Sequence, residues 1–359
     1  MRADALSQWL EKLHGDKVVL QRWQALEESS ALDRFGVRLY NQIQRRWPLA
    51  HHLYFNFLEY LGLHRLALGI RGKKRWREKA RKFRPDVVVS THAHLNHGYF
   101  SMLRDALAPN PPRCLIYCGE LHGGYGFSRH WINPKADTFI AATPASADAA
   151  YYAGMPRERI HKGGFLLKPI FYEQENSNIP LEELVVERLK SPIVLLGTGA
   201  NGANNHADIL EYLGGLETPV SFLALCGRNQ EAYDRLKRLD IAPHRVIPLG
   251  YQEEMPTLLR RVDLAFIRPG SGTTSECVHC HCPLLFNGIG GIMPQEGVTL
   301  RGVREMGLPT LVVKRATRFG TVLAELLDPC RHELERQKEV FASLQADGGP
   351  EEIVREILR

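Results

Sequence analysis

Cysteine is sparse: seven in 359 residues, too few for a disulfide scaffold. Cys114, Cys118, Cys226 and Cys330 stand apart, while Cys277, Cys280 and Cys282 alternate with His279 and His281. No second cysteine pair follows at zinc-like spacing, so the cluster reads as small packing residues, with no metal expected. No apolar run approaches the ~20 residues that span a bilayer. The N-terminal stretch MRADALSQWLEKLHG is charged and helix-patterned, unlike a secretory signal, which points to the cytoplasm. Tandem repeats of fixed period are also absent.

What is present is a soluble, globular composition: 44% hydrophobic and 24% charged residues. The length suits two domains of roughly 150 residues each. A net charge of +6 has a local source in RGKKRWREKARKFR, Arg71 to Arg84. Just before it, Arg45 to Ile70 is rich in Trp, Tyr, Phe and Leu. Aromatic and basic residues side by side suit a peripheral contact with an anionic leaflet, at the inner face of the membrane. A solvated helix face is the plain alternative, and nucleic acid is not expected as a partner.

Along the chain, β-branched runs bounded by Pro and Gly alternate with helical patterns. Residues 3–14 predict an amphipathic helix, 17–20 a short strand, and 36–84 a long helical region. Strands are expected at 84–91, 114–118, 138–142 and 159–162. After a Pro-bounded polar linker the alternation restarts, with strands at 193–197, 220–226, 245–248, 263–267, 283–286 and 310–313. This is the pattern of α/β domains with open parallel sheets.

The richest stretch is Asp263 to Val298, DLAFIRPGSGTTSECVHCHCPLLFNGIGGIMPQEGV. A buried strand is expected to deliver a Gly/Ser/Thr loop, residues 270–274, onto a helix N-terminus with Glu276 in its first turn. Such a junction offers outward N–H groups and the positive end of a helix dipole, suiting a diphosphate. Gln295 and Glu296 lie one strand later, where the next loop reaches the same crevice.

In order, the chain carries Gly197-Thr198-Gly199, Cys226-Gly227-Arg228-Asn229, Gly250-Tyr251 through Met255, Pro269-Gly270-Ser271-Gly272-Thr273 with Glu276, and Pro294-Gln295-Glu296-Gly297. Upstream stand RPDVVVSTHAHLNH from Arg84 and Trp131-Ile132-Asn133-Pro134. This series resembles family 28 glycosyltransferases, which include monogalactosyldiacylglycerol synthases, bacterial diacylglycerol glucosyltransferases and the lipid-linked N-acetylglucosaminyltransferase of peptidoglycan synthesis. The resemblance implies a GT-B architecture, two Rossmann-like domains facing across a cleft. It assigns 1–168 to the acceptor, 169–180 to a linker, 181–345 to the nucleotide-sugar donor and 346–359 to a C-terminal helix. It places Gly272 and Thr273 on the diphosphate, Glu276 on the ribose, and Gln295 with Glu296 on the sugar; Gly199, Gly270 and Ser271 are further donor-binding candidates, and Arg228 is a candidate for the nucleotide or diphosphate. Plain alternatives are a dipole partner for Glu276, helix capping for Gln295 and Glu296, and a surface position for Arg228.

The sequence departs from the family in three places. The family opens with a strand and a glycine-rich loop ending in Gly-His, whereas this chain opens at the helix that follows them. The first strand of the N-terminal domain is therefore expected to be missing, lying upstream or replaced by another element. A family Thr-Asp is Gly119-Glu120 here, and a family Asn is Val298. Inverting transfer needs a base for the acceptor hydroxyl and donors for the leaving diphosphate. Candidates for the base are Glu120, His92, His97 and His122. No Asp-x-Asp metal motif sits at a suitable place, so metal-independent transfer from a UDP-sugar co-substrate is expected, with no other cofactor. The acceptor would be a lipid or lipid-linked molecule. Rival readings are a nucleotide-sugar epimerase of the same fold and a catalytically inactive partner subunit.

Overall fold

The computed structural model describes residues 1–25, 28, 50–61, 72–173, 192–197, 205–344 and 348–359. Gly199, most of the linker and much of the 36–71 region expected to be helical lie outside the described residues. The chain divides into two units: residues 1–169 with 293–302 and 345–359, and residues 170–292 with 303–344.

In the first unit the order is α1 (Arg2–His14), α2 (Ala50–Leu61), α3 (Lys73–Phe83), β1 (Val87–Ser90), α4 (Gly98–Ala106), β2 (Arg113–Cys118), β3 (Thr138–Ala141), α5 (Pro144–Tyr152) and β4 (Ile160–Lys162). The second contributes β5 (Ile193–Leu196), α6 (His206–Leu210), β6 (Ser221–Gly227), α7 (Gln230–Lys237), β7 (Arg245–Gly250), α8 (Met255–Arg261), β8 (Leu264–Ile267), α9 (Ser271–His279) and β9 (Leu284–Asn287). Then come α10 (Pro294–Glu305), β10 (Val312–Val313), α11 (Phe319–Leu327), α12 (Glu333–Ser343) and α13 (Pro350–Leu358). Among the described residues no helix is long and apolar enough to cross a membrane.

The first sheet runs β1-β2-β3-β4, all pairs parallel. Side chains alternate across it, as the pleat requires. Cys114, Ile116 and Cys118 of β2 join Phe100 of α4 and Ala147 of α5 on one face. Leu115 and Tyr117 join Leu6 and Trp9 of α1 and Ile353 and Ile357 of α13 on the other. Helix α5 starts sharply: Thr143 accepts from the Ser146 N–H, Ser146 returns the bond to the Thr143 N–H, and Pro144 fills the first turn. Among the described residues the first strand is β1. The strand expected at 17–20 does not form: a 3-10 turn covers Gly15–Lys17, and Val18 beyond it is extended with no strand partner among those residues.

The second sheet runs β10-β9-β8-β5-β6-β7, again parallel. Its strand order reverses between β5 and β8, which are direct neighbours. Loops leaving two such strands diverge, and ligand crevices in open α/β sheets open there. Gly197 follows β5 and Arg268 follows β8 at this point of the sheet.

Candidate functional site

In the second unit, β8 delivers the chain to Gly270, the N-cap of α9. Ser271, Gly272 and Thr273 are already helical, so the expected loop is shorter than the sequence suggests. Small residues hide a helix start because they carry no periodic apolar signal. For the same reason Glu276 stands in the second turn, not the first. The first turn of α9 leaves N–H groups without intrahelical partners, next to the switch in strand order. Thr274 is fully buried, and its hydroxyl has no hydrogen-bond partner among the described residues. Arg268 donates to the carbonyls of Ile289 at 3.0 Å and Gly291 at 2.8 Å. This brace joins the end of β8 to the glycine-rich loop after β9. Arg228, past the end of β6, lies over the Tyr251 ring at 5.4 Å.

In the cysteine cluster Cys277, Cys280 and Cys282 are buried, and a hydrogen bond with Cys282, together with burial, pushes the Cys277 thiol well up. His279 faces the Phe171 carbonyl at 2.9 Å, and His281 stacks on Phe341.

In the first unit, polar groups gather where β1 and β2 end. Glu120 follows β2, half-buried, and burial pushes its carboxyl up to about 7. The Arg2 guanidinium and a hydrogen bond from the Trp131 side chain partly counter that rise. His92 follows β1; its Nδ1 accepts the His94 N–H at 3.2 Å. That bond leaves the neutral ring's proton on Nε2, so neither nitrogen is a free base. His122 Nδ1 lies 2.7 Å from the Gly123 N–H and 3.1 Å from the Gly123 carbonyl. His97 is the N-cap of α4, with its ring centroid 6.4 Å from that of His130.

The loop from Gly119 to Trp131 is held on both sides. Arg301 of α10 donates twice to the Gly123 carbonyl, at 3.0 and 2.8 Å, and once to the Tyr125 carbonyl at 2.5 Å. Gly126 has φ +97°, and a Cβ there would overlap the Pro294 carbonyl. Gly302 lies so close to the Leu121 backbone that any side chain would collide. From the other side, Glu59 of α2 accepts from the Ser128 hydroxyl at 2.5 Å and the Arg129 N–H at 3.2 Å.

Gln295 and Glu296 occupy the first turn of α10, in the part grouped with the first unit. One Glu296 oxygen accepts the Met293 N–H at 2.8 Å, the capping bond weighed as the plain alternative. The Gln295 side-chain oxygen is buried with no hydrogen-bond partner among the described residues. The sequence reading missed Arg301, Arg268, Trp131 as a partner of Glu120, and Glu59. Each acts through contacts distant in sequence and carries no local signal.

No family model matches the chain. It is 23% identical over 210 residues to the processive diacylglycerol β-glucosyltransferase of Staphylococcus carnosus, covering 57% of this chain and 50% of that protein. It is 23% identical over 264 residues to monogalactosyldiacylglycerol synthase 1, chloroplastic, of Arabidopsis thaliana, covering 71% and 48%. The matched region spans about half the length of these two relatives. Among solved structures, MurG of Acinetobacter baumannii superposes with a TM-score of 0.55 at 16% identity, covering 80% of this chain and 79% of that one. UGT89C1 of Arabidopsis thaliana, complexed with UDP-L-rhamnose, gives 0.55 at 13% identity, covering 98% and 90%. The resemblance read from the motifs is thus found in sequence, as a divergent family 28-like likeness, and the fold is that of GT-B glycosyltransferases.

Proposed function

We propose that this protein transfers a hexose or N-acetylhexosamine from a UDP-sugar to a lipid or lipid-linked acceptor at a membrane surface. Transfer is inverting, and it uses no metal and no cofactor beyond the co-substrate. The observation that carries this reading is Glu120, a carboxyl at the end of a parallel strand whose burial brings its titration to about 7. A base matched to neutral pH is what removal of a hydroxyl proton needs. Glu120 takes the acceptor proton as the hydroxyl oxygen bonds the anomeric carbon and the bond to the diphosphate oxygen breaks. The occupied Nδ1 of His92 favours Glu120 over it, and His97 is the second candidate.

Gly270, Ser271, Gly272 and Thr273, with Gly199 and Arg228, receive the diphosphate charge, since convergent N–H groups and a guanidinium stabilise an anionic leaving group. Glu276 accepts from the ribose hydroxyls, and Gln295 with Glu296 orients the sugar. The names of the two lipid-glycosylating relatives support the lipid acceptor. The UDP-L-rhamnose bound by one fold neighbour supports the nucleotide sugar. Helix α3, with seven Lys/Arg against one Glu, supports docking on an anionic leaflet from the cytoplasmic side.

The test offers labelled UDP-glucose, UDP-galactose or UDP-N-acetylglucosamine with vesicles containing diacylglycerol. Label should enter the organic phase, and Glu120→Gln should abolish this while UDP still binds. Label found only as an epimerised nucleotude would replace the reading with an epimerase. UDP binding without turnover under any of these conditions would replace it with an inactive partner.

A further inference from the structure

Helix α2 carries two unlike faces. Leu53, Phe57 and Tyr60 recur at helical spacing and are 77%, 57% and 85% exposed. Its other side grips the Gly119–Trp131 loop at two joints. At the first, His52 Nδ1 lies 3.1 Å from the Tyr125 hydroxyl, the His52 ring stacks on Tyr125, and Phe55 meets that ring edge-on. At the second, Glu59 holds Ser128 and Arg129, and Arg129 also donates to the Tyr60 carbonyl at 3.2 Å. Tyr125 is thus held twice: its ring by α2, its carbonyl by Arg301 of α10. Glu120 and His122 belong to this loop, and Gln295 and Glu296 belong to the helix that bears Arg301.

We propose that α2 is a surface-responsive strut: an anionic lipid surface resting on its Leu53–Phe57–Tyr60 face orders the Gly119–Trp131 loop through Tyr125 and Glu59. The proposal rests on the membrane-docking part of the function above and adds the coupling. The physical reason is linkage. A helix of 12 residues is marginal in water without outside contacts. Only the helical form sets Leu53, Phe57 and Tyr60 in one stripe, so a lipid surface binds that form better and raises its population. The same form alone aligns His52, Phe55 and Glu59 toward the loop. Whatever stabilises one face therefore stabilises the grip of the other. The lipid is chosen as occupant because the stripe shares its unit with the basic helix α3, whose charge complements an anionic leaflet.

Hydrogen exchange tests the coupling, with flotation reporting binding separately. On phosphatidylglycerol vesicles the amides of residues 123–129 should exchange roughly tenfold more slowly than in solution. The double variant Tyr125→Ala/Glu59→Gln should still float with the vesicles but lose that gain. Tyr125→Phe, which keeps the ring and drops the hydroxyl, should retain part of it. Vesicle-bound protein whose loop exchanges as fast as before overturns the strut and leaves docking standing. An undiminished gain in the double variant overturns it too. Protein that never floats overturns docking itself, and the strut with it.

Discussion

Replacing Glu120 by Gln should stabilise the protein at high pH while it abolishes turnover. Burial moves the folded carboxyl from its ordinary 4.5 to about 7. Between these values the unfolded chain has released the proton and the folded protein keeps it. Stability from this group is therefore fully present below pH 4.5, falls as pH rises through the folded value, and levels off above it. The displacement corresponds to roughly 3 kcal/mol, reduced to about 2 kcal/mol by the solvent contact a half-buried carboxylate keeps. The variant should match the wild type near pH 4.5 and exceed it by about 2 kcal/mol at pH 8. All five tryptophans precede Pro169, so their fluorescence follows unfolding of the first unit during a urea titration. In parallel, wild-type kcat/KM should climb about tenfold per pH unit up to about 7, because the base must be ionised. An equal stability difference at both pH values, or a less stable variant at pH 8, would show that Trp131 and Arg2 favour the carboxylate and would refute the reasoning.

Gly126→Ala should cost about 1–3 kcal/mol in the same titration, since its φ of +97° and the Pro294 carbonyl both oppose a side chain; a neutral substitution would mean that the loop sits elsewhere. Glu276→Ala should weaken UDP binding roughly tenfold by calorimetry, the worth of a charged hydrogen bond, and an unchanged affinity would end its ribose role. Replacing Lys73, Lys74, Arg75 and Arg77 together should weaken binding to anionic vesicles by about 1 kcal/mol per charge at low salt, and less for Arg75, which already pairs with Glu28 at 3.4 Å. Binding that survives and ignores salt would argue against electrostatic docking.

The strands were legible because parallel sheets buried on both faces write continuous apolar runs, and Val87–Ser90 and Leu264–Ile267 fall within the expected spans. The α9 helix start was blurred because Ser-Gly-Thr reads as a loop although Gly270 already caps a helix. The candidate site was legible only in part. Glu120 stood out as a carboxylate after a strand, but its titration depends on a tertiary environment that includes Trp131 and Arg2. Arg301 was invisible, being one more basic residue on a helix until Gly123 and Tyr125 fold against it. Glu296 shows the reverse: a motif residue whose carboxylate caps its own helix.

Helix α13 closes one face of the first sheet with Ile353, Val354 and Ile357, and Arg113 of β2 donates to the carbonyls of Ile357 and Glu356 at its end. These residues are separated from β2 by more than two hundred positions in the chain. During synthesis, β1 to β4 leave the ribosome long before α13 exists, with Leu115, Tyr117 and Ile140 lacking that cover. The second unit can complete its sheet in the interval. The half that carries Glu120 is therefore the later one to finish, and a shortened chain ending before Pro350 should be the more aggregation-prone product.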